Sequence, residues 1–408
     1  MAILFNDRFK ENDYEISKKS LPVSIGIASV WFGAHCGPGV ASGNQVGQYY
    51  SKFSIYGLFT GLIAMLLLGT CIFFSIEFAR INNTYNFKDF ANKFFSPYQV
   101  FFANFFDFTY AVTVLLVVGS CIATGAKTIE STFGIPNMVG SLLLAGVTIV
   151  LSIFGAALVR SSSTLMTVLI LVALCIIILV GLTSDKAQFA LHMSQNLSEY
   201  PYVPAASNVS ILGALWSAVL YAGFQSAGNM ANAVSVAEGL KDRKDSLKAV
   251  IYGVVANAVL IVGIAALLFA YPNILNTFFG VLAGKVTGAD GAPIRSYIPN
   301  LEVVKFLGIP VLQYLYVLIL LLAIITTLVS FAFAVCNRYG KYIPVKPGVT
   351  RDLITLIIML VLCLLVSRLG LNVIVGKGFT YLAYACIAVV ILPTIVIGYK
   401  KINQKPAK

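Results

Sequence analysis

The chain has 408 residues, of which 59% are hydrophobic and 11% are charged, and its formal net charge is +12. Soluble domains carry about 25% charged residues, so this composition excludes an ordinary soluble domain and predicts an integral membrane protein. The positive charge does not indicate nucleic-acid binding, because the basic residues lie in short connections between apolar segments. We therefore expect the chain to lie in a lipid bilayer and not to bind nucleic acid.

Apolar windows long enough to cross a bilayer predict ten membrane-spanning segments, which we number as spans 1 to 10. Their predicted bounds are 21–50, 54–79, 98–125, 138–158, 164–183, 210–240, 246–271, 301–336, 352–367 and 379–398. Two longer connections, 184–207 and 272–299, contain the Pro, Gly, Asn and Ser residues that are typical of surface lids or capping turns. The predicted fold class is therefore an all-α integral membrane protein.

Span 1 is interrupted at its centre by Gly37-Pro38-Gly39, with His35 beside the interruption. Pro38 has no backbone N–H, and the flanking glycines make non-helical dihedral angles accessible. Irregular backbone at membrane depth is tolerated only where it is buried in protein or lines a cavity. The interruption therefore predicts a binding site at the middle of span 1.

The distribution of basic residues predicts the orientation of the chain. Twenty of the 28 Lys and Arg residues fall on the side of the predicted spans that carries the N-terminus, and eight fall on the other side. Cytoplasmic segments of membrane proteins carry an excess of Lys and Arg. We therefore expect a multi-pass protein of the cell membrane with both termini in the cytoplasm.

Span 6 has an unusual centre, Tyr221 to Asn229, with two glycines and three polar side chains at membrane depth. This composition predicts a second interruption. Spans 1 and 6 are five spans apart, so they cross the membrane in opposite directions. Interrupted spans at matching positions of two halves are typical of transporters built from inverted repeats, and they mark the binding site.

Two motifs resemble those of the amino acid–polyamine–organocation superfamily of transporters: Gly37-Pro38-Gly39-Val40 in span 1 and Tyr221-Ala222-Gly223-Phe224-Gln225 in span 6. The longer stretch 37–45 is most similar to the YkvI-like branch. The resemblance implies a LeuT-type fold with two five-helix inverted repeats, breaks in spans 1 and 6, and a monomer or homodimer. The implied segments are 1–20 (cytoplasmic), 21–183 (first repeat), 184–207 (outer connection), 208–367 with 368–398 (second repeat, outer loop 272–299) and 399–408 (cytoplasmic tail).

The interruption of span 1 offers groups of both polarities to a substrate. Carbonyl groups left free before it favour a cation or an ammonium group, and N–H groups after it favour an anion. By resemblance, the N–H groups around Gly37 and Gly39 hold a substrate carboxylate. Pro38 has no N–H to donate, so amines and other small polar solutes remain alternatives to amino acids as the substrate.

Sodium is the expected coupling ion. The register of the sequence, and the pairing common in LeuT-type sodium symporters, place the carbonyls of Gly33 and Cys36 with the hydroxyls of Thr326 and Thr327. The alternative is that both hydroxyls bond back to their own helix. Span 5 contains no lysine, which in some proton-coupled relatives takes the place of this sodium, and this absence favours Na⁺.

Three ionisable residues are candidates for a proton relay. His35 beside the interruption could carry a coupled proton, contact the substrate or bond a freed carbonyl. Asp107 is costly to bury unless it is paired or hydrated, so it is a candidate for a relay or an inner gate. Glu77 is a relay candidate as well, and the alternative is a pair with Arg80 one turn further on.

Further substrate-binding candidates lie in spans 3 and 6. Tyr110 is expected to place its hydroxyl over the substrate, and Phe224 to form an aromatic gate, although both could serve only in packing. Gln225 stands where several relatives have an acid, and a neutral amide argues against a basic amino acid as substrate. Tyr221 and Asn229 complete the predicted set, with Asn229 either joining the two sides of the break or facing the pocket.

The predicted function is a symporter of an amino acid or related small amine, driven by Na⁺, with alternating access around spans 1 and 6. The alternative is a proton-coupled transporter or exchanger of another small polar or organocation solute. An enzyme is not expected, because the sequence shows no clustered metal ligands and no nucleophile–base pair, and no cofactor other than Na⁺ is implied. A channel would instead show flux that is insensitive to any driving gradient.

Overall fold

The computed structural model describes residues 22–154, 156–188, 199–204, 209–288 and 291–404. The predicted segment 1–20 and most of the connection 184–207 lie outside the described residues. Eight described helices are long and apolar enough to cross a membrane, and two shorter apolar helices cover 23–35 and 137–153. These helices confirm the predicted all-α membrane fold, whereas the count of ten spans stays a prediction.

The helices follow the order of the predicted spans. Span 1 is built from Val23–His35, Pro38–Ala41 and Asn44–Tyr49, and the remaining spans contain Tyr56–Asn82 (2), Gln99–Phe133 (3), Asn137–Phe154 (4), Ala156–Thr183 (5), Ile211–Ser235 (6), Arg243–Phe269 (7), Pro310–Tyr339 (8), Val349–Ser367 (9) and Leu371–Asn403 (10). Three shorter helices lie in the connections: Phe87–Phe94, Pro272–Leu282 and Pro299–Leu307.

The interruption of span 1 is confirmed, and it has two parts. The first helix ends at His35, and Gly37 adopts an extended conformation with φ −71° and ψ −174°. After one turn of helix the chain bends again at Gly43, whose φ of +79° lies in the left-handed region that favours glycine. The far half of span 1 is therefore two short helices rather than one.

The prediction of a second break in span 6 was wrong. Ile211–Ser235 is one continuous helix. Its polar side chains bond within the helix: the Ser226 hydroxyl donates to the Gly223 carbonyl at 2.7 Å, and Asn229 Nδ2 donates to the Gln225 carbonyl at 2.8 Å. A Cβ at Gly223 would lie 3.0 Å from the carbonyl oxygen of Ala383, so this glycine permits close packing against span 10.

Several predicted boundaries also need correction: span 3 continues to Phe133 rather than 125, and span 5 begins at Ala156 rather than 164. Span 8 was expected to run over 301–336, but a separate helix, Pro299–Leu307, ends at Gly308, and span 8 starts at Pro310. The φ of +75° at Gly308 ends the first helix, and Pro310 suits the first position of the next. Span 10 begins at Leu371 rather than 379, and it includes two π-helical turns, Ile374–Gly378 and Ile387–Ile391.

Span 7 begins three residues before the predicted start because Asp242 caps it. The Asp242 carboxylate accepts a hydrogen bond from the backbone N–H of Asp245 at 2.9 Å. This bond favours the ionised form and keeps the pKa of the Asp242 carboxyl below its ordinary value. The connection between spans 6 and 7 is therefore held in a defined turn.

The spans pack in two groups. Spans 1, 2, 6 and 7 pack on one another, and spans 3, 4, 8 and 9 pack on one another. Span 5 touches spans 1, 4, 7 and 8, and span 10 packs on spans 2, 3 and 6. Glycines allow the closest contact in the first group: a Cβ at Gly253 of span 7 would overlap the ring of Trp31, and one at Gly69 of span 2 would lie 3.4 Å from it. Span 1 is thus fixed to spans 2 and 7 by its buried tryptophan.

Glu77 links spans 2 and 7. It is 2% exposed and accepts two hydrogen bonds from Arg80, at 2.9 and 2.7 Å, and one from the Ser246 hydroxyl at 2.8 Å. A buried carboxylate needs such partners, since an unpaired charge is costly away from water. The pairing with Arg80 that the sequence left open as an alternative is therefore present.

Replacing Glu77 with alanine is expected to destabilise the protein by about 2–3 kcal/mol, because Arg80 and Ser246 lose their buried acceptor. Glu130→Ala is the matched control, since Glu130 also pairs with a base three residues away but its side chain is 38% exposed. It should cost less than about 1 kcal/mol. Thermal unfolding of the purified proteins in one detergent gives the comparison, and equal losses of stability would contradict the linking role.

Candidate functional site

Two cavities adjoin the interruption of span 1. The central pocket, of about 30 Å³, lies between spans 1, 3, 6, 8 and 10, and it is large enough for about one or two waters. A larger cavity of about 440 Å³, which we call the open cavity, lies between spans 1, 3, 5, 6 and 8. The two share Ala34, Asn232 and Phe331 as lining residues, so they are neighbours.

The open cavity lies on the side of the bundle at which span 1 begins. It is lined by Ser29 in the first half of span 1, by Ser235 at the end of span 6 and by Ala334 near the end of span 8. All three positions lie towards the same side of the bundle. The access route to the interruption is therefore one-sided.

Most of the predicted substrate-binding residues meet at the central pocket. Its lining includes His35, Gly37, Pro38, Gly39, Phe224, Gln225 and Asn229. Tyr110 lines the open cavity instead. Tyr221 is fully buried behind His35 and reaches the site only through its hydroxyl group.

His35 is held by one hydrogen bond on each ring nitrogen. Its Nδ1 lies 2.6 Å from Oδ1 of Asn257, and its Nε2 lies 2.8 Å from the Tyr221 hydroxyl. Asn257 Nδ2 donates to the Gly253 carbonyl at 2.8 Å, so Oδ1 is the acceptor and Nδ1 carries the proton. In the neutral imidazole, Nε2 then accepts from Tyr221.

Asn257 was missed in the sequence analysis. It is fully buried in the middle of span 7, between apolar residues. A polar amide at membrane depth is the signal that could have identified it, because such a group must find a partner inside the protein.

A chain of amides runs beside the pocket. Gln225 Nε2 donates to Gln45 Oε1 at 3.3 Å, and Asn229 Nδ2 donates to Gln225 Oε1 at 3.0 Å. Gln45, which the sequence analysis also missed, lies over Gly39, where an added Cβ would overlap its side chain. The chain connects the interruption of span 1 to the centre of span 6.

An aromatic stack forms the wall of the pocket away from the open cavity. The rings of Phe224 and Phe379 are stacked, with centroids 4.7 Å apart and an angle of 6° between their planes. Phe224 also contacts Tyr49 and Tyr221, with ring centroids 5.2 and 5.0 Å away. The place of Phe224 suits the predicted aromatic gate, which stays a prediction.

The first half of span 1 ends in free carbonyls. Among the described residues, no hydrogen-bond donor reaches the carbonyl oxygens of Gly33, Ala34 or Cys36. The Ala34 carbonyl lacks a donor because the nitrogen of Pro38, four residues later, carries no hydrogen. All three residues line the open cavity.

Thr326 and Thr327 line the same open cavity as these carbonyls. Their hydroxyl protons bond back to span 8: Thr326 donates to the Leu322 carbonyl at 3.0 Å, and Thr327 donates to the Ala323 carbonyl at 2.8 Å. A hydroxyl oxygen keeps acceptor capacity while it donates its single proton. The hydroxyls therefore remain possible ligands of a cation beside Gly33 and Cys36.

The predicted relay residues Asp107 and Glu77 lie in ion pairs outside both cavities. Asp107 pairs with Arg338 of span 8, and its side chain is 46% exposed. The Arg338 guanidinium lies over the ring of Tyr110, 4.6 Å from its centroid. The structure does not bring either carboxylate to His35.

Comparisons of the whole chain show which fold this is. No family model and no curated protein matches the sequence. Among solved structures, the manganese transporter of Eremococcus coleocola, in complex with an aromatic bis-isothiourea substituted compound, is similar, with 12% identity and a TM-score of 0.59, over 95% of this chain and 85% of that chain. Mhp1, a nucleobase-cation-symport-1 family transporter in a closed conformation with bromovinylhydantoin bound, is also similar. Its identity to this chain is 16% and its TM-score is 0.54, over 88% of this chain and 75% of that chain.

These likenesses show the fold alone. The chain is a multi-pass helical membrane protein with the LeuT-type fold, in which solved transporters are found. The interruption of span 1, the central pocket and the open cavity are the candidate functional features of this chain.

We expect a thiol introduced at Ser330 to react from one side of the membrane only, because Ser330 is exposed in the open cavity. Ser42, which is fully buried beyond the interruption, is the matched control. Ser330→Cys should react with a membrane-impermeant methanethiosulfonate reagent in only one of two oppositely oriented vesicle preparations. Ser42→Cys should react slowly in both preparations. The wild-type protein, with Cys36 in the same cavity, gives the baseline; equal rates from both sides would rule out a one-sided cavity.

Proposed function

We propose that this protein is a secondary active transporter, a symporter that moves an amino acid or related small amine with Na⁺ across the cell membrane. The observation that carries the proposal is the interruption of span 1, which places free carbonyls between an enclosed pocket and a one-sided cavity. Both termini face the cytoplasm in this proposal, as the excess of basic residues on that side supports.

Alternating access follows from the two groups of spans. The central pocket lies where spans 1 and 6 of one group face spans 3 and 8 of the other. Beyond the interruption, residues 38–50 are all buried, and Asn300 and Tyr316 both donate hydrogen bonds to the Ala41 carbonyl, at 2.9 and 3.0 Å. We infer that the route is closed on this side, the outer side in the proposed orientation. With the proposed orientation, the cavity is open to the cytoplasm, and movement between the groups would expose the pocket to the other side.

Sodium would be held by the carbonyls of Gly33 and Cys36 and the hydroxyls of Thr326 and Thr327. All four residues line the open cavity, and all four oxygens can accept. Unwound carbonyls beside a helix break are the groups that coordinate Na⁺ in transporters of this architecture. A monovalent ion suits a site of neutral oxygens.

A divalent metal suits this site less well. Manganese is bound by carboxylate, carbonyl and water ligands, and no Asp or Glu side chain in the part of the chain that the structure describes lines either cavity. The described residues contain no group of three His, Cys, Asp or Glu side chains that could hold a metal ion. The manganese transport named for the structural neighbour is therefore not proposed here.

Replacing Thr326 and Thr327 together with valine should abolish Na⁺-dependent uptake, because valine keeps the shape and removes both oxygens. The assay uses proteoliposomes and eight radiolabelled solutes: serine, valine, phenylalanine, histidine and their decarboxylated amines. We expect an inward Na⁺ gradient to stimulate uptake of at least one solute, and the double variant to lose that stimulation by about tenfold or more, which corresponds to about 1.4 kcal/mol.

Thr128→Val is the matched control for this experiment. The Thr128 hydroxyl bonds back to the Thr124 carbonyl of its own helix at 2.8 Å, as Thr326 and Thr327 do, but Thr128 lines neither cavity. Full stimulation in the double variant would show that the sodium ligands lie elsewhere. Uptake that is unchanged without Na⁺ and follows a pH gradient would favour the proton-coupled alternative.

A further inference from the structure

One polar atom in the central pocket lacks a partner. Of the side chains that line the pocket, only Asn229 has a fully buried polar atom, Oδ1, without a hydrogen-bond partner among the described residues. The residue is 2% exposed. Leaving a buried acceptor unsatisfied costs about 1–3 kcal/mol, so an unpaired acceptor in a pocket calls for a donor from a ligand.

The direction of this atom is fixed by its neighbours. Asn229 Nδ2 donates to the backbone oxygen of Gln225 at 2.8 Å and to its Oε1 at 3.0 Å. Because both partners are acceptors, the nitrogen of the Asn229 amide must face them, and Oδ1 must face away. Gln225 is oriented in turn, since its Nε2 donates to Gln45 Oε1 at 3.3 Å.

The described lining of the site offers a carboxylate no charged partner. Among the residues that the structure describes, no Lys or Arg side chain lines the central pocket or the open cavity. The helix that follows the interruption, Pro38–Ala41, has four residues, and Pro38 at its start has no N–H. An anionic group that entered the pocket would lose its water without gaining a cationic partner, which is costly.

The same site suits a cationic N–H donor. Ala34 lines the pocket, and its free carbonyl lies at the end of the first helix of span 1, where the helix dipole places partial negative charge. The aromatic side chains of Phe224 and Phe379 line the pocket as well, and aromatic rings attract cations. Acceptor groups thus converge on the pocket. The donors that an anion would meet there are the backbone N–H groups of Gly37 and Gly39, which have no acceptor among the described residues and no cationic side chain from those residues beside them.

We propose that the central pocket binds a small primary amine without a carboxylate, and that Asn229 Oδ1 accepts a hydrogen bond from its ammonium group. This inference rests on the proposed function and narrows it from amino acids and amines to amines alone. The pocket adjoins the open cavity at Ala34, Asn232 and Phe331, so an amine larger than the pocket would extend into the open cavity.

Binding to the purified full-length protein tests the inference with matched pairs of ligands. The pairs are ethanolamine and serine, isobutylamine and valine, phenethylamine and phenylalanine, and histamine and histidine, measured by calorimetry in the presence of Na⁺; isobutyramide is the neutral N–H donor. We expect at least one amine to bind, and its amino acid to bind at least about tenfold more weakly. The inference is overturned if amino acids bind as tightly as their amines, if no amine binds, or if isobutyramide binds as tightly as isobutylamine.

Variants of Asn229 test the role of the acceptor. Asn229→Leu should raise the Kd of the amine by about tenfold or more, the usual effect of losing a hydrogen bond to a charged group. Asn229→Asp should lower it, because a carboxylate then faces the ammonium group. Asn104→Leu, at an exposed position of span 3 outside both cavities, should leave the Kd unchanged. An unchanged Kd in either folded Asn229 variant would overturn the assignment.

The two proposals fail separately. An amine that binds but is not taken up under a Na⁺ gradient would overturn the symporter and leave the amine site in place. Na⁺-driven uptake of an amino acid, with no binding of its amine, would overturn the amine site and leave the symporter in place.

Discussion

The structure depends on one constraint: backbone groups buried in a membrane protein must find partners inside the protein or meet water. The interruption of span 1 leaves the carbonyls of Gly33, Ala34 and Cys36 without donors among the described residues. Such groups are tolerated only where a cavity or ligand reaches them. The open cavity provides this contact, so the helix break and the cavity are two consequences of the same sequence.

The backbone carbonyls on the two sides of the interruption differ in their hydrogen bonds. Beyond it, the Ala41 carbonyl accepts bonds from Asn300 and Tyr316, and the Ser42 carbonyl accepts one from the Asn300 N–H at 3.0 Å. The helix Pro299–Leu307 is thereby fixed to the far half of span 1. On the other side, no donor among the described residues reaches the carbonyls of Gly33, Ala34 and Cys36, which stay available. This difference explains why the route to the centre is open on one side only.

A structural feature of this protein could be predicted from the sequence where the residues that cause it lie close to it in the chain. The break in span 1 was predictable, because Pro38 removes a donor wherever it lies in a helix. The continuity of span 6 was not, because Gly223 is explained by the Ala383 carbonyl that packs against it, and no spacing in the sequence reveals that neighbour. Seven of the sixteen described residues that line the central pocket lie in or beside the two motifs and were predicted. The partner of His35, Asn257, is placed by tertiary packing alone, 222 positions away along the chain.

The polar bonds of the site lie within one group of spans. The amide chain that aims Asn229 belongs to spans 1 and 6, and the partners of His35 belong to spans 6 and 7. The facing wall, with Thr113 of span 3 and Phe331 of span 8, adds no hydrogen bond to that chain among the described residues. In the proposed transport cycle, movement of one group against the other would change the size of the pocket without turning its acceptor. A site that must face both sides of a membrane in turn needs its recognition group held in this way.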